Sequence, residues 1–343
     1  MATKIRFYLY FVNCLMNQPI SLIVCVHNEE NNLPVLLESI KPGKDDEILI
    51  ILDRCTDQSE QIADRFSSIL PIRKIIITET EWPESPKKWA VFLGISHAAN
   101  QNLVFTDADC ILPVSFFSEY RSQFNQSEVI AGYSLPDFEP NSGFLQELQW
   151  MDALFTAIKY TYFYQFSCPY MSVGRNWGFK KNLFQKEYLE SHAMIKSGDD
   201  DLLFQKLLSN NPKVALLKLN AATTGTKKSW KDLINQKARH YKAGSKYPVK
   251  ILILLAFYDL WFPASIVFLM GSIYLDSFQS VVIGSSFIFA SVIFITAQSR
   301  RLLSELGLFV SSITRISLFA LPYHFLLPFL SVFLQVLRPK WKS

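Results

Sequence analysis

Cysteine is sparse and without pattern in this chain. The five in 343 residues, Cys14, Cys25, Cys55, Cys110 and Cys168, show neither a paired metal-ligand spacing nor a disulfide framework. That excludes a zinc module and a secreted, stapled domain, and it places the folded part in a reducing compartment. An excess of one charge is also missing: Lys+Arg 34 against Asp+Glu 30 leaves +4. The basic residues form no aromatic-interleaved patch, so no nucleic acid is expected as a partner. The apolar stretch Phe7 to Met16 has no cleavage pattern after it and is too short for an ordinary span. Residues 1–18 are therefore expected to form a short interfacial anchor, or to be what remains of a longer start.

Long hydrophobic runs are absent from about 19 to 248 and dominate 250 to 337. The division expected is a catalytic domain over 19–248, amphipathic in its C-terminal part, and a membrane domain of two or three helical segments over 249–343. Ile251 to Leu275 is long enough to cross a bilayer, and Asp259 within it requires a polar partner or an interfacial depth. Phe278 to Ala297 is a cleaner span, closed by Arg300 and Arg301. Leu306 to Leu337 holds Arg315, Pro322 and Pro328. It reads either as an interfacial helix followed by a span from about Ile316 or as a broken, partly re-entrant hairpin. Lys242, Lys246, Lys250, Arg300 and Arg301 place the catalytic domain on the cytoplasmic side of a multi-pass protein, expected in a bacterial inner membrane. A third full span would put Arg338, Lys340 and Lys342 outside, against the same rule.

Strands and helices alternate in the polar part. Pro19 to Val26 reads as a strand, followed by a helix face at Leu33, Leu36, Leu37 and Ile40. Glu47 to Leu52 is the next strand, then a helix at Ser59 to Ser67, a strand at Lys74 to Thr78, a helix at Lys88 to Ala99 and a strand ending at Asp107. This is the pattern of an α/β sheet whose ligands bind beyond the carboxyl ends of its strands, where Asp53 and Asp107 fall.

The most telling motif is Asp107-Ala108-Asp109, directly after Leu103-Val104-Phe105. Two carboxylates at a strand end can hold Mg²⁺ or Mn²⁺ against a diphosphate, or simply cap a turn. Asp53 can accept hydrogen bonds from a base or ribose, or cap its own turn, and Lys87 can reach a phosphate or remain a surface charge. In Gly198-Asp199-Asp200-Asp201 the acids either cap a helix or supply a carboxylate, Asp200, that takes the proton of an attacking hydroxyl. Like-charge crowding from Asp199 and Asp201 would then raise its proton affinity. Gln236, Arg239 and His240 share about one helical turn, and either close over a diphosphate or acceptor or rest on anionic headgroups. Thr223 to Trp230 reads as a flexible connection, with Trp230 stacking on a sugar or anchoring the loop. Arg175 and Asn176, after Gly174, present groups to acceptor or donor, or complete a tight turn. Glu29 caps the following helix or also contacts the nucleotide.

Taken in order, Val26-His27-Asn28-Glu29, Asp53, Asp107-Ala108-Asp109, Val173-Gly174-Arg175-Asn176, Gly198-Asp199-Asp200 and Gln236-Lys237-Ala238-Arg239-His240 resemble membrane-bound glycosyltransferase family 2 enzymes with a GT-A fold, over essentially the whole chain. The resemblance implies inverting transfer from a nucleoside diphosphate sugar, usually UDP-linked, with the donor near Asp53 and a metal at Asp109. It makes Asp200 the general base of an acidic pair with Asp199, and puts Gln236, Arg239 and His240 in the place of a Gln-x-x-Arg-Trp motif. His240 stands where that motif has tryptophan, which counts against a processive polysaccharide synthase.

The expected acceptor is a hydroxyl of a lipid-linked or other glycan, with the bilayer holding its apolar tail; membrane lipids and biosynthetic or export proteins complete the expected partners. Arg175, Asn176, Asp201 and Trp230 form the expected acceptor side. Glu29, Asp53, Lys87, Asp107, Gln236, Arg239 and His240 form the donor side, and Asp107 with Asp109 the metal site. Two other classes stay open: a sugar-nucleotide phosphotransferase, which would release a nucleoside monophosphate, and a non-catalytic membrane scaffold.

Overall fold

The computed structural model describes residues 18–137, 143–217, 222–306 and 313–336. The anchor expected over 1–18 thus lies outside them except for Gln18, as do Arg338, Lys340 and Lys342. The described residues fall into two compact units, 18–137 with 171–217 and 222–225, and 143–170 with 226–306 and 313–336. Compactness therefore groups residues 226–248 with the apolar C-terminal helices, whereas hydropathy divides the chain at 248.

The first unit is built on a seven-stranded mixed sheet. Its parallel half contains β1 (Ile20–Val26), β2 (Glu47–Asp53), β3 (Ile72–Ile77) and β4 (Asn102–Asp107), in the spatial order β3-β2-β1-β4. The central strands are apolar on both faces, as a sheet covered by helices requires, and Ile20, Leu22, Val24, Ile48, Ile50 and Val104 are fully buried. Crossovers run through α1 (Leu33–Ser39), α2 (Ser59–Phe66) and α3 (Pro86–His97). Register sets Val26 beside Leu52 and Cys25 beside Asp107, so the carboxyl ends of β1, β2 and β4 lie on one edge.

Beyond β4 the sheet turns antiparallel. After β5 (Cys110–Ile111) and α4 (Phe116–Phe124) come β6 (Val129–Ala131) and β7 (Ser134–Pro136). Strand β8 (Trp177–Lys180) pairs antiparallel with both β4 and β6, and β9 (Val214–Leu216) closes that side. A separate three-stranded sheet joins β5, β10 (Ala222–Thr224) and β7. Thr223 and Thr224, expected in a flexible connection, are ladder residues paired with Ile111 and Cys110.

The second unit is helical. It starts with α5 (Phe144–Gln165), a helix absent from the sequence expectation; α6 (Glu187–Glu190) and α7 (Asp201–Leu208) belong to the first unit. Then come α8 (Trp230–Gly244), α9 (Val249–Tyr274), α10 (Phe278–Glu305) and α11 (Ile313–Val336). Helices α9 and α10, with mean hydropathy 2.0 and 2.1, are long and apolar enough to cross a membrane. Pro322 and Pro328 lie inside the single helix α11, so no hairpin break occurs there. Asp259 on α9 has the partner its burial demanded: Lys159 of α5, at 2.6 Å.

Candidate active site

The edge where β1, β2 and β4 end carries the acids. Asp53 closes β2, is only 6% exposed, and takes a bidentate contact from Arg54, with Nε at 2.8 Å and Nη2 at 3.0 Å. A carboxylate has about four acceptor positions, so that pairing leaves capacity for a ligand. Glu29 lies in the turn ahead of α1: its carbonyl accepts from the Leu33 amide at 2.8 Å, and its carboxylate from Asn32 Nδ2 at 2.6 Å.

Lys87 is the hub. From the first turn of α3 its Nζ reaches Asp107 Oδ1 at 2.9 Å and Asp199 Oδ2 at 3.0 Å, joining the end of β4 to the acidic run before α7. Burial alone would lower the Lys87 pKa, but Asp107, Asp199 and Asp200 outweigh it and hold the ammonium well above its ordinary range. A small open cleft lies against this cluster, lined by Cys25, Lys87, Thr106, Asp107, Trp177 and Asp199 among others.

Asp200 is the N-cap of α7. Its Oδ1 accepts from the Asp201 amide and its Oδ2 from the Gly174 amide, each at 2.7 Å. Gly174 is required there, since a Cβ would stand 2.7 Å from Asp200 Oδ2, and Gly198 enters the turn at φ 83°. Burial pushes the Asp200 carboxyl up to about 6, Asp199 beside it pushes the same way, and Lys87 opposes both. Capping and a raised proton affinity thus coexist in one side chain. Asp201 takes the first helical position of α7.

Asp109 is partly exposed just past β4, and Asp107 precedes it by two positions. Among the described residues no group of three or more His, Cys, Asp and Glu side chains is placed to hold a metal. Two carboxylates are the donor set that suits Mg²⁺ or Mn²⁺ completed by phosphate oxygens and water, and not a closed structural site. Arg175 is half-buried and makes no hydrogen bond or ion pair among the described residues, and its charge is felt at Cys110 of β5.

Asn176 corrects the expectation for its position. It is 0% exposed, its Oδ1 accepts from Tyr120 Oη at 2.8 Å, and its Nδ2 donates to the Tyr133 carbonyl at 2.7 Å. Its amide joins α4 to the segment before β7. A buried residue that the sequence did not single out is Lys88, 1% exposed, whose Nζ donates to the carbonyls of His192 and Ile195 at 2.8 Å each. Burial pushes it down to about 8, with Asp199 and Asp200 resisting.

Gln236, Arg239, His240 and Trp230 are in the second unit, all on α8. Ser229 caps that helix, its Oγ accepting from the Asp232 amide at 3.2 Å. Gln236 and Arg239 are half-buried and His240 is exposed. Trp230, 50% exposed, lies 6.3 Å between ring centroids from Phe144.

The family profile "Glycosyl transferase family 2" matches residues 21–187, which contain Asp53, Lys87, Asp107, Asp109 and Gly174. Comparison with curated proteins gives no match. Among solved structures, TarS 1-349 of S. aureus is 17% identical with a TM-score of 0.44, covering 65% of this chain and 65% of its own. The mannosyltransferase PcManGT of Pyrobaculum calidifontis, in complex with GDP-Man and Mn2+, is 14% identical with a TM-score of 0.48, covering 92% and 94%. Glucosyl-3-phosphoglycerate synthase of Mycobacterium tuberculosis is 16% identical with a TM-score of 0.43, covering 68% and 81%. The chain thus spans about two thirds of the TarS fragment's length. Residues 21–187, from β1 to α6, thus match a glycosyl transferase family 2 domain, on a GT-A-like mixed sheet.

Proposed function

We propose that the chain transfers a sugar from a nucleoside diphosphate sugar, UDP-linked, to a hydroxyl of a lipid-linked or glycan acceptor, with inversion at the anomeric carbon. The observation that carries this reading is the Lys87 bridge, which sets a cation for phosphate and a high-affinity carboxylate base in one cluster.

In the mechanism, Asp53 and Glu29 lie at the base and ribose end of the donor, and Lys87 faces its diphosphate. Asp109 with Asp107 would hold Mg²⁺ or Mn²⁺, which when bound offsets charge on the leaving diphosphate. Lys87 also pairs with Asp199, so its ammonium would remain anchored if Asp107 served the cation. Asp200, oriented by the amides of Gly174 and Asp201, accepts the proton of the acceptor hydroxyl while that oxygen attacks the anomeric carbon. Arg175, Asp201 and Trp230 are assigned to the acceptor side, and Gln236, Arg239 and His240 to closure over the diphosphate. Other glycosyltransferases of this fold are described with UDP-GlcNAc, with UDP and with GDP-Man and Mn2+, which supports a nucleotide-sugar donor and a divalent cation here.

The apolar helices α9 and α10 support a membrane protein; the reading places its catalytic unit on the cytoplasmic face of a bacterial inner membrane, with a lipid-held acceptor. The test is to incubate nanodisc-embedded protein with native membrane lipids, Mg²⁺ or Mn²⁺ and a panel of nucleotide sugars. Nucleoside diphosphate release with sugar incorporated into lipid is expected. Release of a nucleoside monophosphate would instead mark a phosphotransferase, and donor binding without turnover across a broad acceptor panel would mark a scaffold.

A further inference from the structure

The start of α3 holds the acidic segment at four points. Lys87 takes Asp199; two positions earlier Ser85 Oγ donates to the Ala193 carbonyl at 2.5 Å, and Lys88 takes the carbonyls of His192 and Ile195. Residues 192–195 are a run of turns between α6 and α7, and three of their carbonyls end on side chains of the Ser85-to-Lys88 stretch. Nothing about an ammonium in a first helical turn requires burial, yet Lys88 is among the largest fully buried side chains of the chain. An ammonium has three donors and no acceptor, so a buried one is spent where carbonyls converge.

We propose that Lys88 is a positioning residue for the transfer reaction, one that fixes the 192–195 turn so that Asp199 and Asp200 keep their places against Lys87 and Gly174. The inference rests on the reading of Asp200 as base. Its consequence is that adjacent lysines on one helix divide the labour: Lys87 meets the carboxylates and the diphosphate, while Lys88 sets the backbone from which those carboxylates hang. A shift of the turn would move Asp200 off the acceptor hydroxyl without touching the donor, and misplacement of about 1 Å can cost about 100-fold in rate.

The experiment compares full-length wild type, Lys88→Met, Lys88→Arg and Asp200→Asn in nanodiscs, measuring donor affinity, kcat and the pH dependence of kcat. Lys88→Met keeps the stem and removes the donors. Its kcat is expected to fall about tenfold or more with donor affinity within about twofold, and Lys88→Arg is expected to recover part of the rate. The charged groups that face this ammonium are Asp199 and Asp200, with Lys87 beside it in the chain. Because Asp200 attracts the Lys88 charge, removing that charge raises the proton affinity of Asp200, and the acid limb of kcat is expected to move to higher pH. A merely structural role would leave that limb in place. Wild-type kcat and an unmoved limb in folded Lys88→Met would overturn the proposal, as would a loss explained wholly by weaker donor binding. If Lys88→Met does not fold, Ser85→Ala removes only the Ala193 contact; a fall in kcat at constant donor affinity is expected, and an unchanged kcat overturns the proposal. An active Asp200→Asn sinks the base reading, whereas an inactive Asp200→Asn beside a fully active Lys88→Met sinks only the role of Lys88.

Discussion

The two compact units use the same pairs of residues for opposite ends. In the first, one lysine is shared between two carboxylates: Lys87 spans Asp107 and Asp199, whose side chains are 32% and 12% exposed, and a cleft opens beside them. In the second, lysines and aspartates pair one to one. Lys159 meets Asp259, and Lys237 meets Asp152, which also accepts from Tyr323 Oη at 3.0 Å. An unequal cluster has a partner to exchange, and that is what a ligand site needs. A matched pair inside a helical bundle has none to give up, so removing one member leaves a desolvated charge behind.

The comparison breaks most visibly at Asp200. Asp200→Asn is expected to reduce kcat by about 10²–10⁴ with donor affinity retained, the range for removing a positioned base, measured as nucleoside diphosphate release. Gly174→Ala is expected to come close to that loss, because its methyl group would displace the same carboxylate. Lys87→Met is expected to lower kcat/KM by about 10²-fold and to weaken donor binding as well, since it removes charge facing the diphosphate; isothermal titration with the donor separates the two effects.

In the second unit the expected effect is on stability. Lys159→Met alone is expected to cost about 2–3 kcal/mol, below the full penalty for a buried pair because the side chains are 15% and 22% exposed. Combining it with Asp259→Leu is expected to restore most of the loss. Thermal unfolding in detergent reads this, and the donor affinity of both variants is expected to stay at the wild-type value.

The smallest effect is one of pH. A base must be ionised to act, so kcat is expected to rise with pH through about 6, where burial and Asp199 hold the Asp200 carboxyl. Asp199→Asn removes the neighbouring negative charge, lowers the proton affinity of Asp200 and is expected to move the acid limb to lower pH. The pH–rate profiles of the two proteins side by side check the direction.

The parallel half of the sheet was legible in the sequence because strands buried on both faces read as continuous apolar runs. Ile20–Val26, Glu47–Asp53 and Asn102–Asp107 match such runs, and the last two end at Asp53 and Asp107. The antiparallel half was much less so: β6 and β9 have three residues each, too short for a period to show. Helix α5 carries Trp150, Leu154 and Ile158 among buried residues and also Gln149, so its apolar face was visible in principle at helical spacing. The need for a partner to Asp259 could be read from its setting, but the identity of Lys159, 100 positions away, depends on packing. Asn176 and Lys88 failed for one reason. A polar side chain in a turn or first helical turn has no periodic neighbours to say which way it faces, and both turned inward to backbone carbonyls.

The most direct measurement of the central claim is the anomeric configuration of the product, by NMR, from a verified α-linked donor turned over by the wild-type protein. Direct displacement assisted by Asp200 predicts a β-linked product; an α-linked product would contradict it.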